Sequence, residues 1–237
     1  MPDPIVLPRL TRVRGSAARS TSWWGRAFVR SFEELTVDAS DLVAARALAR
    51  SGRLGAIVVI EAMASAVVDP GGTSSRMAQV KVDRLDAEGW TTFAREAARE
   101  SGFAASLESG DLPAELVEHS DEAGAEVLPG PGDIGTGCEC ETWAQPCVHT
   151  LALLYQLAWH VDGDPYVLLL LRGRTREALL GEVGALATGR RSPGTDEREE
   201  ARIRAAQVLA LAEDAPAGHG LADAAVAAYD EAVSRLL

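Results

Sequence analysis

The chain has little with which to enter a membrane or leave the cell. Its 237 residues contain no apolar run of membrane-spanning length, and the longest stretches are Leu151–Trp159 and Tyr166–Leu171. The N-terminal "MPDPIVLPRLTRVRGSAARS" has no apolar core of the secretory-signal kind. A cytoplasmic protein is therefore expected. Aromatic residues are scarce at 5%, and the dominance of alanine and leucine favours helix.

Positive charge is also scarce. The net charge is −12, and residues 54–137 carry fifteen acidic against five basic side chains. An acidic body repels phosphate, so any nucleic-acid contact would be confined to a local patch. Residues 1–53 run the other way, with nine basic and five acidic groups. Arg9, Arg12, Arg14 and Arg19 there form either such a patch or a solvated, flexible basic tail over residues 1–20, and the tail is the expectation.

Several signatures of catalysis are missing. No G-x-x-x-x-G-K-[ST] phosphate loop, G-x-S-x-G elbow or G-x-G-x-x-G turn occurs. The zinc-deaminase pairing of H-x-E with P-C-x-x-C is absent too, because Pro146-Cys147 is followed by Val-His. A non-catalytic protein is expected. Asp162 and Asp164 form a D-x-D that lacks the glycine and terminal glutamate of a calcium loop, so it is read as a turn.

What the chain does have is concentrated in "GCECETWAQPCVHT", residues 137–150, which contains all three cysteines and one of four histidines. Thiols in a reducing compartment stay free, and Cys138 and Cys140 are too close along the chain to pair comfortably. Cys138, Cys140, Cys147 and His149 together supply the ligands of a closed tetrahedral Zn2+ site. The first pair is expected to sit in a tight hairpin and the second at a helix entry. Four protein ligands leave no open position for water, which points to a structural metal. The rival readings are buried cysteines with no metal, and an iron–sulfur cluster, which in Cys3His form uses a wider gap between cysteine and histidine. His160 cannot join the site, since eleven helical residues rise about 16 Å. His119 and His219 have no visible partner.

The C-x-C-x6-C-x-H arrangement resembles the SWIM-type zinc finger, found in bacterial remodelling ATPases, plant transposases and ubiquitin-pathway proteins. Trp143 and Pro146 are similar to the "W…PC-x-H" texture of bacterial members. "WWGRAFVRSFEE" (23–34) and "LLRGRTREALL" (170–180) resemble actinobacterial SWIM proteins that accompany Snf-type helicases. The resemblance implies Zn2+ on Cys138, Cys140, Cys147 and His149, and association with DNA beside a helicase-type ATPase. Val148 departs from it, standing where bacterial members often carry Lys or Arg. Candidate nucleic-acid-binding residues are Arg172, Arg174 and Arg176, with Arg172 and Arg176 sharing a face if the segment is helical. The alternative is a protein–protein interaction adaptor whose zinc only organises a docking surface, which the net charge, Val148 and the C-terminal segment favour.

The expected fold is α+β. Flexible residues 1–20 lead into an α+β region over 21–137, with a helix from Trp23 to about Leu35 and another over Asp41–Arg50. "LGAIVVIEA", "ASAVVD" and "RMAQVKVDRL" read as two or three antiparallel strands between Leu54 and Leu85. Asp86 N-caps a helix that ends at Gly102, and shorter helices follow over Phe103–Ser109 and Ala114–His119. "LPGPGDIGTG" (128–137) reads as a loop. A zinc-stapled helical region over 138–187 begins with a helix from Pro146 to about Val161, then Tyr166–Leu171 and Thr175–Leu186. A helical hairpin over 196–237 closes the chain. Loss of the metal is expected to melt the second half before the sheet.

Overall fold

Period-two alternation puts successive side chains on opposite faces of a strand, and the segment 54–85 uses it to build one buried face. The computed structural model describes residues 4–10, 20–69, 75–140, 142 and 145–189. Among them, five strands form one antiparallel sheet in chain order: β1 (Ile5–Leu7), β2 (Ile57–Ile60), β3 (Met63–Val68), β4 (Arg76–Val82) and β5 (Ile134–Cys138). The row Ala66, Ala78, Cys138 lies on the inner face, as do Val59, Ala64 and Val80. Val6, Val58, Ser65 and Gln79 form a cross-strand row on the other face. Val6, Val58 and Val67 are exposed there.

Helices cover the inner face. α6 (Val148–Gly163) packs on the sheet, and α1 (Trp23–Glu33) and α2 (Ala39–Arg50) pack on α6, around Phe28, Phe32, Leu151, Leu154 and Ala158, all fully buried. α6 is buried along nearly its whole length, as its leucines at 151, 153, 154 and 157 anticipated. A second core joins α3 (Ala87–Arg99), α4 (Ser101–Ser109), α5 (Ala114–Glu122) and α8 (Arg176–Ala187) around Trp90, Phe93, Leu107, Leu116 and Leu179. The short α7 (Pro165–Leu171) serves both, giving Leu168 and Leu171 to the first core and Tyr166 and Leu169 to the second. The class is α+β, as expected.

Polar side chains tie the elements together. Ser22 caps α1 by accepting from the Gly25 amide at 3.1 Å. Asp162 accepts from the Thr21 and Ser22 amides at 2.7 and 2.8 Å. Asp164 caps α7 through the Tyr166 amide at 2.9 Å, so the D-x-D motif does cap and turn work. A Cβ on Gly25, the third residue of α1, would lie 2.8 Å from the Ser22 hydroxyl and 2.9 Å from the Asp162 carboxylate, so this contact requires glycine. Asp86 caps α3 as the sequence predicted, accepting from Gly89 at 2.7 Å.

Three expectations need correction. Residues 1–20 are not all tail: Ile5–Leu7 is an edge strand, and the chain beyond it is pinned to α6. The buried Gln156 amide accepts from Leu10 N at 3.0 Å and donates to Leu10 O and Ala49 O at 2.8 and 2.7 Å. His160 Nε2 donates to Pro8 O at 2.8 Å. Arg12, Arg14 and Arg19 lie outside the described residues, as does the hairpin expected over 196–237. The loop expected over 128–137 contains β5 in its second half. Finally, no boundary falls between 137 and 138, because β5 pairs with β4 and α6 lies in the same core as β2–β4. Melting of the second half ahead of the sheet is therefore not expected.

Gln156→Leu should release the N-terminal segment and cost about 1–3 kcal/mol, because the Leu10 and Ala49 groups lose their partners in a buried place. Hydrogen exchange reads the effect as faster exchange of the β1 and β2 amides. Unchanged protection of those strands would show that the arm is held by other contacts.

Candidate metal centre

The ladder between β4 and β5 places Cys138, and the bend just after β5 carries Cys140. Cys138 faces Ala78 across the sheet, on the face that α6 covers. Cys140 lies two residues on, in the bend after β5, and its sulfur comes within 4.8 Å of the Cys147 and His149 ligand atoms. The intervening Glu139 is fixed by its own backbone and side chain. Its amide donates to Met77 O at 3.2 Å, and its carboxylate accepts from Met77 N at 2.9 Å. The Cys138/Cys140 pair thus sits on a strand end and the bend after it, not in the tight hairpin expected.

The second pair comes from a helix entry, as expected. Cys147 is the N-cap of α6 and His149 lies in its first turn. The Gln145–Pro146 peptide that precedes them is cis. Gln145 Oε1 accepts from the Cys147 amide at 3.2 Å. Thr150 donates to the Cys147 carbonyl at 2.9 Å and lies 3.6 Å from its sulfur. Val148 packs against the main core, which gives an apolar residue a structural reason to stand between the two ligands.

The four ligand atoms all lie within 4.8 Å of one another. His149 Nδ1 lies 3.7 Å from the Cys138 sulfur and 3.9 Å from that of Cys147. Tetrahedral zinc with bonds of about 2.0–2.3 Å requires ligand atoms about 3.5–3.8 Å apart. The residues present fit the ion to within a small closing movement. All three cysteines are free thiols; Cys147 is buried and the other two are half-buried. Bound zinc would supply a fixed crosslink between β5, the 139–147 loop and α6.

The thiols differ in charge state. Burial pushes the Cys138 thiol up to about 12, opposed by a hydrogen bond with the Cys140 backbone and helped by the Cys140 and Cys147 thiols beside it. Cys140 is also raised by burial, but hydrogen bonds from His149, the Thr142 backbone and the other two thiols outweigh that and bring it down to about 6. Of the two, Cys140 gives up its proton the more readily. Zinc must displace every thiol proton, so affinity falls as pH falls. Below about pH 6 an additional proton, from Cys140, should be released on each binding event. Calorimetric titration with zinc in buffers of different ionisation enthalpy measures this; proton release that stays constant between about pH 5 and about pH 8 would contradict it.

The three arginines have other partners. Arg172 is 4% exposed. It donates to Asp83 O, and to Glu126 O at 2.8 Å, and lies 3.6 Å from the Asp133 carboxylate. Burial lowers its pKa, opposed by the neighbouring carboxylates. Arg174 pairs with Glu182 and lies over the Trp90 ring. Arg176 is exposed, donates to Glu108 O at 2.6 Å and stacks over Tyr166 at 4.7 Å. Arg172 and Arg176 share no helix face, because Gly173 at φ +97 ends α7 and α8 begins at Arg176. His119 rests edge-on against Phe103, and His219 lies outside the described residues.

The fold and the cluster define a class: an α+β protein with a Cys3His cluster that could hold a metal ion, at the junction of an edge strand and a central helix. The chain is similar to the uncharacterized protein Rv2102 of Mycobacterium tuberculosis. The two are 28% identical over 193 residues, which cover 78% of this chain and 69% of the other. No family model matches the chain, and no solved structure does. No described helix is long and apolar enough to cross a membrane.

Proposed function

We propose that this chain is a zinc-binding, non-catalytic module of SWIM type that docks on a protein partner, with a Snf-type helicase acting on DNA as the candidate partner class. The observation that carries the zinc assignment is the convergence of Cys138, Cys140, Cys147 and His149 within 4.8 Å. Four ligands from the chain close the coordination sphere, so the metal fixes shape and leaves no position for a reacting water.

Protein contact is favoured over direct DNA contact by three features. Arg172 and Arg174 are engaged inside the fold, and the chain as a whole carries −12. Val6, Val58 and Val67 leave an apolar strip on the open sheet face, the kind of surface that partners cover. DNA association belongs to this reading through the helicase, and rests on the finger pattern and the segments 23–34 and 170–180.

The test combines zinc-loaded protein with duplex and single-stranded DNA over a salt series, and separately with a Snf-type ATPase from the same genome. The expected result is a stable complex with the ATPase and no salt-dependent affinity for DNA alone. Tight DNA binding whose logarithm falls linearly with the logarithm of salt concentration would replace the adaptor by a direct DNA-binding module.

A further inference from the structure

The metal centre is joined to a body that has its own means of folding. Both hydrophobic cores are built from side chains other than the ligand set, apart from partial contacts at Cys138 and Val148. Zinc loss therefore acts on the loop between β5 and α6. The three sulfurs are neighbours, and two of them are half-buried, open to small oxidants. Cys138 is held in the β4–β5 ladder opposite Ala78. Cys140 lies beyond the last ladder pair, in a bend, with six residues separating it from Cys147. A bridge between Cys138 and Cys140 would need a strained ring across a single intervening residue.

We infer that the centre is a reversible peroxide-sensitive switch, in which Cys140 and Cys147 form a disulfide that releases the metal. This inference rests on the zinc reading above. The Cys140 thiolate attacks a peroxide oxygen: an S–O bond forms, the O–O bond breaks, and hydroxide leaves. The Cys147 thiolate then attacks the sulfenic sulfur, forming the S–S bond as the S–O bond breaks and a second hydroxide leaves. Two thiolates give two electrons to one peroxide, and two protons from solvent turn the hydroxides into water. Cys138 and His149 remain, and two ligands do not retain zinc against solution. The 139–147 loop then loses its anchor while the body stays folded, so partner docking becomes dependent on redox state.

The test treats the full-length zinc-loaded protein with hydrogen peroxide and follows zinc with a coloured chelator, free thiols by titration, and bridges by peptide mass mapping. The expected result is about one zinc released for each two thiols lost, a Cys140–Cys147 bridge, and recovery of zinc binding after reduction with a dithiol. Metal-free protein treated in the same way should give the same bridge. Zinc retained by protein whose loading has been verified overturns the switch and leaves the zinc reading intact. A Cys138–Cys147 bridge, or oxidation to sulfonic acid without a bridge, also overturns it. Protein that cannot be loaded with zinc overturns both readings.

Discussion

Cys147→Ala should weaken zinc binding by about 10²–10³-fold while the protein stays folded at room temperature. A structural zinc site with four ligands is worth about 10–16 kcal/mol in binding, so one ligand accounts for about 3–4 kcal/mol, or an affinity loss of about 10²–10³-fold. Cys147 carries more than its share of the geometry. It stands at the N-cap position of α6, and its sulfur lies 3.9 Å from His149 Nδ1. The helix itself is retained because Leu151, Leu154 and Ala158 bury it against α1, α2 and the sheet. The melting temperature should fall, since a ligand bound only by the native state stabilises it by mass action. Far-UV circular dichroism should be nearly unchanged, and faster hydrogen exchange should be confined to residues 139–150. Global unfolding of the variant would mean that the metal, and not the two cores, holds this body together.

Arg172→Ala should show the opposite pattern, with zinc retained and the fold severely weakened. The Arg172 guanidinium bridges three separate segments through Asp83 O, Glu126 O and the Asp133 carboxylate. Its carbonyl accepts from Leu85 N at 2.9 Å and Trp90 Nε1 at 3.3 Å, which fixes the α7–α8 turn against α3. Truncation leaves buried carbonyls without donors and Asp133 without its cation, at a cost of about 3–5 kcal/mol. For a chain of this size that corresponds to a drop in melting temperature of about 6–20 °C. Chemical denaturation with metal analysis alongside checks both halves of the expectation. A stable variant that has lost affinity for a nucleic acid would restore Arg172 as a binding residue. The exposed Arg176 is the better position for a nucleic-acid test, because its change would not empty a buried site.

The Cys3His cluster was legible in the sequence because C-x-C and C-x-H are chemical patterns with their own spacing, independent of the fold that presents them. Strands β2–β4 were legible from alternation of β-branched residues, and α6 from its run of leucines. The two edge strands were not. Ile5–Leu7 is three residues long and flanked by prolines at 4 and 8, and Ile134–Cys138 contains two glycines after a breaker-rich stretch. Both are strands because β2 and β4 offer them a ladder, a long-range cause that local pattern does not carry. The arginine face failed for a similarly local reason: Gly173 takes a left-handed conformation that separates two helices where one continuous face had been counted. The placement of Gln156 against Leu10 joins residues 146 apart in sequence, and no motif announces it.

The measurement that bears most directly on this account is metal content by elemental mass spectrometry on full-length protein purified without added metal, with an absorption spectrum of the same sample. The account predicts one zinc per chain and no visible colour. Iron with labile sulfide would make the centre a cluster, and a metal-free chain that also refuses added zinc would contradict the Cys138, Cys140, Cys147 and His149 assignment outright.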